Sequence, residues 1–178
     1  MKVQRFSEHG AMSWANGLGT SFEVVSDRNI DGVWTWRVAI APVVVDGPFS
    51  MMPGVDRELV VVKGNGMVLD IDGESVECLS GQVVRFSGDS TTFAQLVDGS
   101  VVDLGLMTVR GRVTGSMVVV TDVGDVTTSD VLVAFGEAVV EDENGKIYRL
   151  GSKDALLGVR GHQLVLLSGT AIAIHVNS

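Results

Sequence analysis

Residues 58–73 read ELVVVKGNGMVLDIDG. A valine-rich run enters a glycine turn at Lys63-Gly64-Asn65-Gly66, and a second short apolar run ends at Asp72-Gly73. Branched side chains suit a pleated surface, and runs this short between glycine turns have the length of strands rather than helices. Asp-Gly between two such runs is a two-residue hairpin signal that needs φ > 0 at both central positions. The same grammar continues along the chain, predicting strands at 34–41, 58–62, 66–71, 83–86, 92–96, 116–121, 131–134, 163–167 and 171–176, with a second tight hairpin at Asn144-Gly145. No segment carries a sustained apolar stripe at helical spacing. With 22 glycines, 3 prolines and valine dominant, the fold class is all-β.

A length of 178 residues fits one compact domain or two small half-domains. A hydrophobic content of 46%, only 20% charged residues and a mean hydropathy of +0.33 exclude intrinsic disorder. The net charge of -9 and pI near 4.6 argue against nucleic acid as a partner, because phosphate binding needs a basic face. The single cysteine, Cys78, suits a reducing compartment, and Lys2 and Arg5 have no apolar stretch behind them. No run of eighteen apolar residues occurs either, so the expected location is cytoplasmic and away from membranes. The two halves echo one another: a strand enters Lys63-Gly64 and then Asp72-Gly73, as a strand later enters Phe135-Gly136 and then Asn144-Gly145. Two small antiparallel β-barrels of related strand order account for that echo.

Polar residues of chemical interest concentrate in the first third. In Trp14-Ala15-Asn16-Gly17-Leu18-Gly19-Thr20-Ser21-Phe22-Glu23, glycines admit close backbone approach while Asn16, Thr20 and Glu23 supply donors and acceptors. The same stretch also reads as a plain glycine turn entering a strand. In residues 36–41, a period of two puts Arg37, Ala39 and Ala41 on one face, which leaves volume beside a fixed positive charge. Arg37 either faces an anion there or pairs with Glu23 or an aspartate, since a buried guanidinium needs a partner. The turn dipeptides Gly47-Pro48 and Pro53-Gly54 make a rigid loop that delivers Arg57 to the next strand. Arginine's planar fork of donors matches a carboxylate. Asp103, in an apolar setting, is either a ligand acceptor or a partner for one arginine. His9, His162 and His175 are far apart and Cys78 is isolated, so neither a metal nor a cofactor is expected.

Four segments resemble the HutD/Ves family of small double-cupin proteins linked to histidine utilisation. They are Trp14-x-Asn16-Gly17-x-Gly19-Thr20-x-x-Glu23, Trp36-Arg37-x-x-Ile40-Ala41, Asp46-Gly47-Pro48-Phe49-Ser50-x-x-Pro53-Gly54-x-Asp56-Arg57 and Asp103-Leu104-x-Leu106-Met107. The resemblance implies a double cupin, with an N-terminal barrel and pocket in residues 1–107 and a second cupin-like barrel in 108–178. It implies ligand-binding roles for Asn16, Thr20, Glu23, Arg37, Asp46, Ser50, Arg57 and Asp103. It further implies a regulatory binder of a small acidic metabolite, such as N-formylglutamate or urocanate, that restrains histidine breakdown. The alternative is a metal-independent isomerase or hydrolase of a small acid, with Glu23 or Asp103 as base and Arg37 or Arg57 as electrostatic stabiliser. A homodimer is left open. Leu18 stands where the family commonly has a third glycine and Gly105 where it has asparagine, so the pocket mouth and one polar contact are expected to differ.

Overall fold

The computed structural model describes residues 1–14, 17 and 19–177. Seventeen strands, numbered along the chain, and a single 3-10 turn at Phe6–Glu8 make up the regular structure of these residues. By contacts the chain divides into Gly10–Thr114 and a second unit formed by Met1–His9 with Gly115–Asn177.

The second unit starts with β1 (Lys2–Gln4), which pairs with β16 (Ala155–Leu157). Its seven-stranded sheet continues through β14 (Val131–Asp142) and β17 (Leu164–Asn177) to β12 (Thr114–Val120). Two short strands hang on this path: β13 (Val126–Thr127) on β17 and β15 (Ile147–Leu150) on β14. The core of this unit includes Leu132, Leu156, Leu164 and Leu166.

The unit spanning Gly10–Thr114 contains two antiparallel sheets. The larger runs, in spatial order, β2 (Gly10–Ser13), β3 (Thr20–Arg28), β4 (Trp34–Val43), β11 (Val101–Val109), β6 (Val55–Lys63) and β9 (Val83–Ser87). The smaller runs β5 (Gly47–Pro48), β10 (Thr92–Leu96), β7 (Gly66–Ile71) and β8 (Glu74–Leu79). Leu59, Val61, Met67, Leu69, Cys78 and Ala94 belong to one buried cluster with side chains from both sheets. The two sheets are joined by this apolar core and an isolated bridge from Val61 to Ser80 rather than by continuous hydrogen bonding, so the expected barrel is not closed. Burial pushes the Cys78 thiol up to about 12, which makes it a packing residue and not a nucleophile.

Several expectations change in detail. The Asp72-Gly73 hairpin forms as read, with φ of 53° and 91° and Ile71 opposite Glu74. Asn144-Gly145 is not a two-residue turn: Glu141 pairs with Ile147, and Asp142 Oδ1 accepts bonds from the Asn144 and Lys146 amides. That carboxylate organises a longer loop in which only Gly145 has positive φ. Phe135-Gly136, read as the echo of the Lys63-Gly64 turn, lies within β14, where the register shifts between Ala134 and Ala138. The strands expected at 163–167 and 171–176 are one strand, β17, bent at Gly169. The expected division at residues 107 and 108 also differs from the contact division, because the first nine residues are tied to the second unit. Asp154 accepts the Phe6 amide at 2.9 Å and the Arg5 guanidinium at 2.6 Å.

Gly169 has φ +83°, and a Cβ placed there would lie 1.9 Å from the Glu137 carbonyl oxygen. Gly161, with φ +81°, has nothing within 4 Å of the same position. Alanine at 161 should therefore cost only the left-handed backbone penalty, about 1–2 kcal/mol. Alanine at 169 must also displace the β14 bulge, and a loss above about 4 kcal/mol is expected. Thermal melts of Gly161→Ala and Gly169→Ala check this; equal shifts would contradict the bulge as the constraint.

Candidate functional site

Alternation along β4, β11 and β6 turns one face of the larger sheet inward. The register then sets three rows across these strands. Arg37, Met107 and Arg57 are side by side in the first; Ala39, Gly105 and Leu59 form the second; Ala41, Asp103 and Val61 form the third. Because the middle row has only Ala39 and Gly105 beside Leu59, little side-chain volume fills the space next to the arginines. A Cβ at Gly105 would meet nothing nearer than 3.6 Å. The result is a cavity of about 340 Å³ whose lining includes both arginines, Asp103, Ser50 and Trp34.

Arg37 is held by soft partners. Its Nη1 donates to Met12 Sδ at 3.8 Å and its Nη2 to Met107 Sδ at 3.3 Å, while the guanidinium carbon lies 4.9 Å from the Trp34 ring centroid. Thioether sulfur is a weak acceptor, and Arg37 Nε is buried with no partner among the described residues. Burial lowers the Arg37 pKa from its ordinary value, with the more distant Glu23 charge opposing the shift.

Arg57 donates from Nη1 to the Ser50 carbonyl at 3.2 Å, and its guanidinium carbon lies 5.2 Å from the Phe49 centroid and 4.9 Å from that of Phe86. Burial lowers its pKa to about 10; Asp103 works against that shift and Arg37 adds to it. The group stays charged at neutral pH. Among the described residues, neither arginine has a carboxylate within ion-pair distance. Asp103 is buried, and desolvation pushes it up to about 7 against the pull of Arg57.

Pro53-Gly54 forms the expected turn, with Val55 N donating to the Met52 carbonyl at 3.2 Å, whereas Gly47-Pro48, also read as a turn, is strand β5 paired with β10. Met52 N donates to the Gly88 carbonyl at 2.8 Å, Gly88 N donates to the Val55 carbonyl at 2.7 Å, and Gly54 N donates to Asp89 Oδ1 at 3.0 Å. A Cβ at Gly88 would lie 2.4 Å from the Met52 carbonyl oxygen, so only glycine allows this approach.

Of the eight residues read from the sequence, Arg37, Ser50, Arg57 and Asp103 line the cavity. Asn16 lies outside the described residues. Thr20 is exposed at the start of β3 and does not line the cavity, whereas its neighbour Ser21 does. Glu23 is committed to Arg28, at 3.0 and 2.7 Å, and accepts from Ser26 at 2.8 Å, so it is not the ion-pair partner of Arg37. Asp46 accepts the Leu96 amide at 2.8 Å and ties its loop to β10. Sequence reasoning missed the apolar lining of Met12, Trp14, Trp34, Phe49, Met52 and Met107. Trp34 has the parity of the opposite face, but Asp27 pairs with Trp36 and Arg28 with Trp34, so a bulge at Thr35 turns it inward.

Chemically the cavity offers two partly desolvated cations, the Asp103 carboxyl with its pKa pushed up to about 7, and hydroxyls at Ser13, Ser21 and Ser50; Glu58 also belongs to the lining and is paired with Arg85. Among the described residues, no histidine, cysteine or lysine lines it, and no three His, Cys, Asp or Glu side chains are grouped as a metal site requires. Among the same residues, no helix is long and apolar enough to cross a membrane.

This chain is 33% identical over 110 residues to an uncharacterised 21.2 kDa protein in the hutC 3' region of Pseudomonas putida, a stretch covering 60% of this chain and 57% of that one. It is 32% identical over 101 residues to Protein Ves of Citrobacter koseri, covering 56% and 53%. The matched stretches thus span about half the length of these curated relatives. Among solved structures, HutD from Pseudomonas fluorescens SBW25 superposes with a TM-score of 0.81 at 26% identity, covering 99% of both chains. A cupin 2 conserved barrel domain protein from Leptotrichia buccalis superposes at 0.58 with 12% identity, covering 99% of this chain and 96% of that one. Together with the strand content, that likeness makes the fold an all-β double cupin. The HutD family model matches residues 6–175, and the chain belongs to the HutD family.

Proposed function

We propose that this chain is a binder of a small carboxylic acid, held principally by Arg57, and that it returns its ligand unchanged. The carrying observation is a charged guanidinium, desolvated inside a cavity, that donates to the Ser50 carbonyl and whose faces meet Phe49 and Phe86, with no carboxylate among the described residues paired to it. Such a cation favours an anion that can accept from its open edge. The resemblance to HutD and Ves proteins and the relative in the hutC 3' region support a role as a brake on histidine utilisation in the cytoplasm, with N-formylglutamate or urocanate as the ligand. Neither nucleic acid nor a membrane is part of this reading, and a homodimer is compatible with it.

Asp103 supports a second reading. A carboxyl group with its pKa pushed up to about 7, in the same cavity as an anion-binding arginine, is suited to proton transfer in an isomerase or hydrolase of a small acid. Incubating N-formylglutamate or urocanate with the protein and following product formation separates the two: a binder saturates and yields no product.

Three outcomes are expected. First, a carboxylate at a hundred times its Kd should add about 2.7 kcal/mol of stability, read as a rise in melting temperature. Second, Arg57→Ala should stay folded and weaken carboxylate binding by roughly ten- to a hundredfold in calorimetry. Arg57→Lys should restore only part of that loss, because an ammonium has no bidentate fork. Unchanged affinity in a folded Arg57→Ala variant would remove Arg57 from the site. Third, Asp103 is neutral below about pH 7 and charged above it, so it repels a bound carboxylate only at the higher pH. Formate affinity measured from pH 6 to pH 8 should fall as pH rises, and Asp103→Asn should flatten the profile; an identical profile in the variant contradicts this role.

A further inference from the structure

Resting on the reading of the cavity as a carboxylate site, we propose that Arg37 forms a second, separate anion subsite, so that the occupant is a short dicarboxylate spanning Arg37 and Arg57. The two arginines flank Met107 in one row, each on a strand next to β11. Neighbouring strands lie about 4.8 Å apart, which separates the two backbones by roughly 10 Å. Their side chains then take different neighbours. Arg37 is held by Met12, Met107 and Trp34; Arg57 by Ser50, Phe49 and Phe86. No residue belongs to both sets. Phe86 sits opposite Arg57 on β9, the side away from β11, whereas Arg37 reaches Met107 on β11 with one nitrogen and Met12 on β2 with the other.

The acceptors at Arg37 are thioether sulfurs, and its Nε has none among the described residues. Sulfur is a poor acceptor for a half-buried guanidinium; Glu23, which the sequence offered by number as its partner, is taken by Arg28, and no aspartate among the described residues is within ion-pair distance of it. An acid group of the ligand is the missing acceptor. Between the two subsites the cavity wall is Met107, with Ala39, Gly105 and Leu59 in the next row, which calls for an apolar connection between the two acid groups. A monocarboxylate can neutralise one arginine and leaves the other uncompensated. A dicarboxylate neutralises both.

The test compares butanoate, succinate and glutarate by isothermal titration calorimetry on the wild type, Arg37→Ala and Arg57→Ala. Succinate or glutarate should bind wild type about tenfold or more tightly than butanoate. Arg37→Ala should abolish that preference, bringing succinate and glutarate to the affinity of butanoate, and Arg57→Ala should weaken all three. Equal affinity of mono- and dicarboxylates, or an equal loss for both in Arg37→Ala, overturns the second subsite and leaves the carboxylate reading standing. Absence of binding by all three probes to wild type overturns both. Should Arg37→Ala fail to fold, Arg37→Lys keeps the charge without the fork; a selective loss of dicarboxylate affinity in that variant supports the second subsite, and an equal loss for all three probes overturns it.

Discussion

Two guanidinium groups are desolvated in one cavity with no carboxylate among the described residues paired to either, and the unit spanning Gly10–Thr114 is arranged around that constraint. Both arginines are half-buried, and a cation taken partly out of water without a counter-ion is costly, so a fold that keeps two of them must hold each by other means. The means are visible: aromatic faces at Trp34, Phe49 and Phe86, a main-chain carbonyl at Ser50, and the sulfurs of Met12 and Met107. These contacts orient the forks without neutralising them. The proposed ligand supplies the anion that the described residues do not.

Rigidity behind the cavity serves the same end. The sheet register keeps the arginines in one row, and the loop before Arg57 is stapled to Gly88 and Asp89. Asp89 is itself bonded by Arg110, which also reaches Asp56 next to Arg57 in the chain. Arginine has many rotamers to lose on binding, and a side chain already held loses fewer of them. Asp103 sits two rows below, where burial pushes its pKa up to about 7 against the pull of Arg57, which weakens it as a counter-ion to the cations above it.

Much of this arrangement is legible in the sequence. Arg37 with Ala39 and Ala41 on one face follows from a strict period of two, and the turn before Arg57 follows from Pro53-Gly54, whereas Gly47-Pro48 is drawn into a strand by pairing with β10. What escapes has local causes. The central strand β11 is absent from the predicted strands, because Asp103 and Gly105 interrupt its apolar run; those two residues form the cavity face, while Leu104 and Leu106 are buried on the other. Strict alternation puts Trp34 on the wrong face because a bulge at Thr35, which has no sequence signature, reverses its parity. Glu23 looks like a ligand residue or an arginine partner, and it is a partner, but of Arg28 in the same strand. The Asn144-Gly145 loop departs from its dipeptide because Asp142 outcompetes that pair in setting the turn.

The central claim is that the arginine forks are held but not neutralised, and the most direct measurement of it is the arginine side-chain Nε–H region of a ¹⁵N-labelled sample. Arg37→Lys and Arg57→Lys variants assign the two resonances. Titrating glutarate should move both, saturably and at one common Kd, while the signals of ion-paired Arg28 and Arg110 stay in place. If both cavity resonances remain fixed in a folded sample as glutarate is raised to high concentration, the guanidiniums do not receive the anion and the account fails.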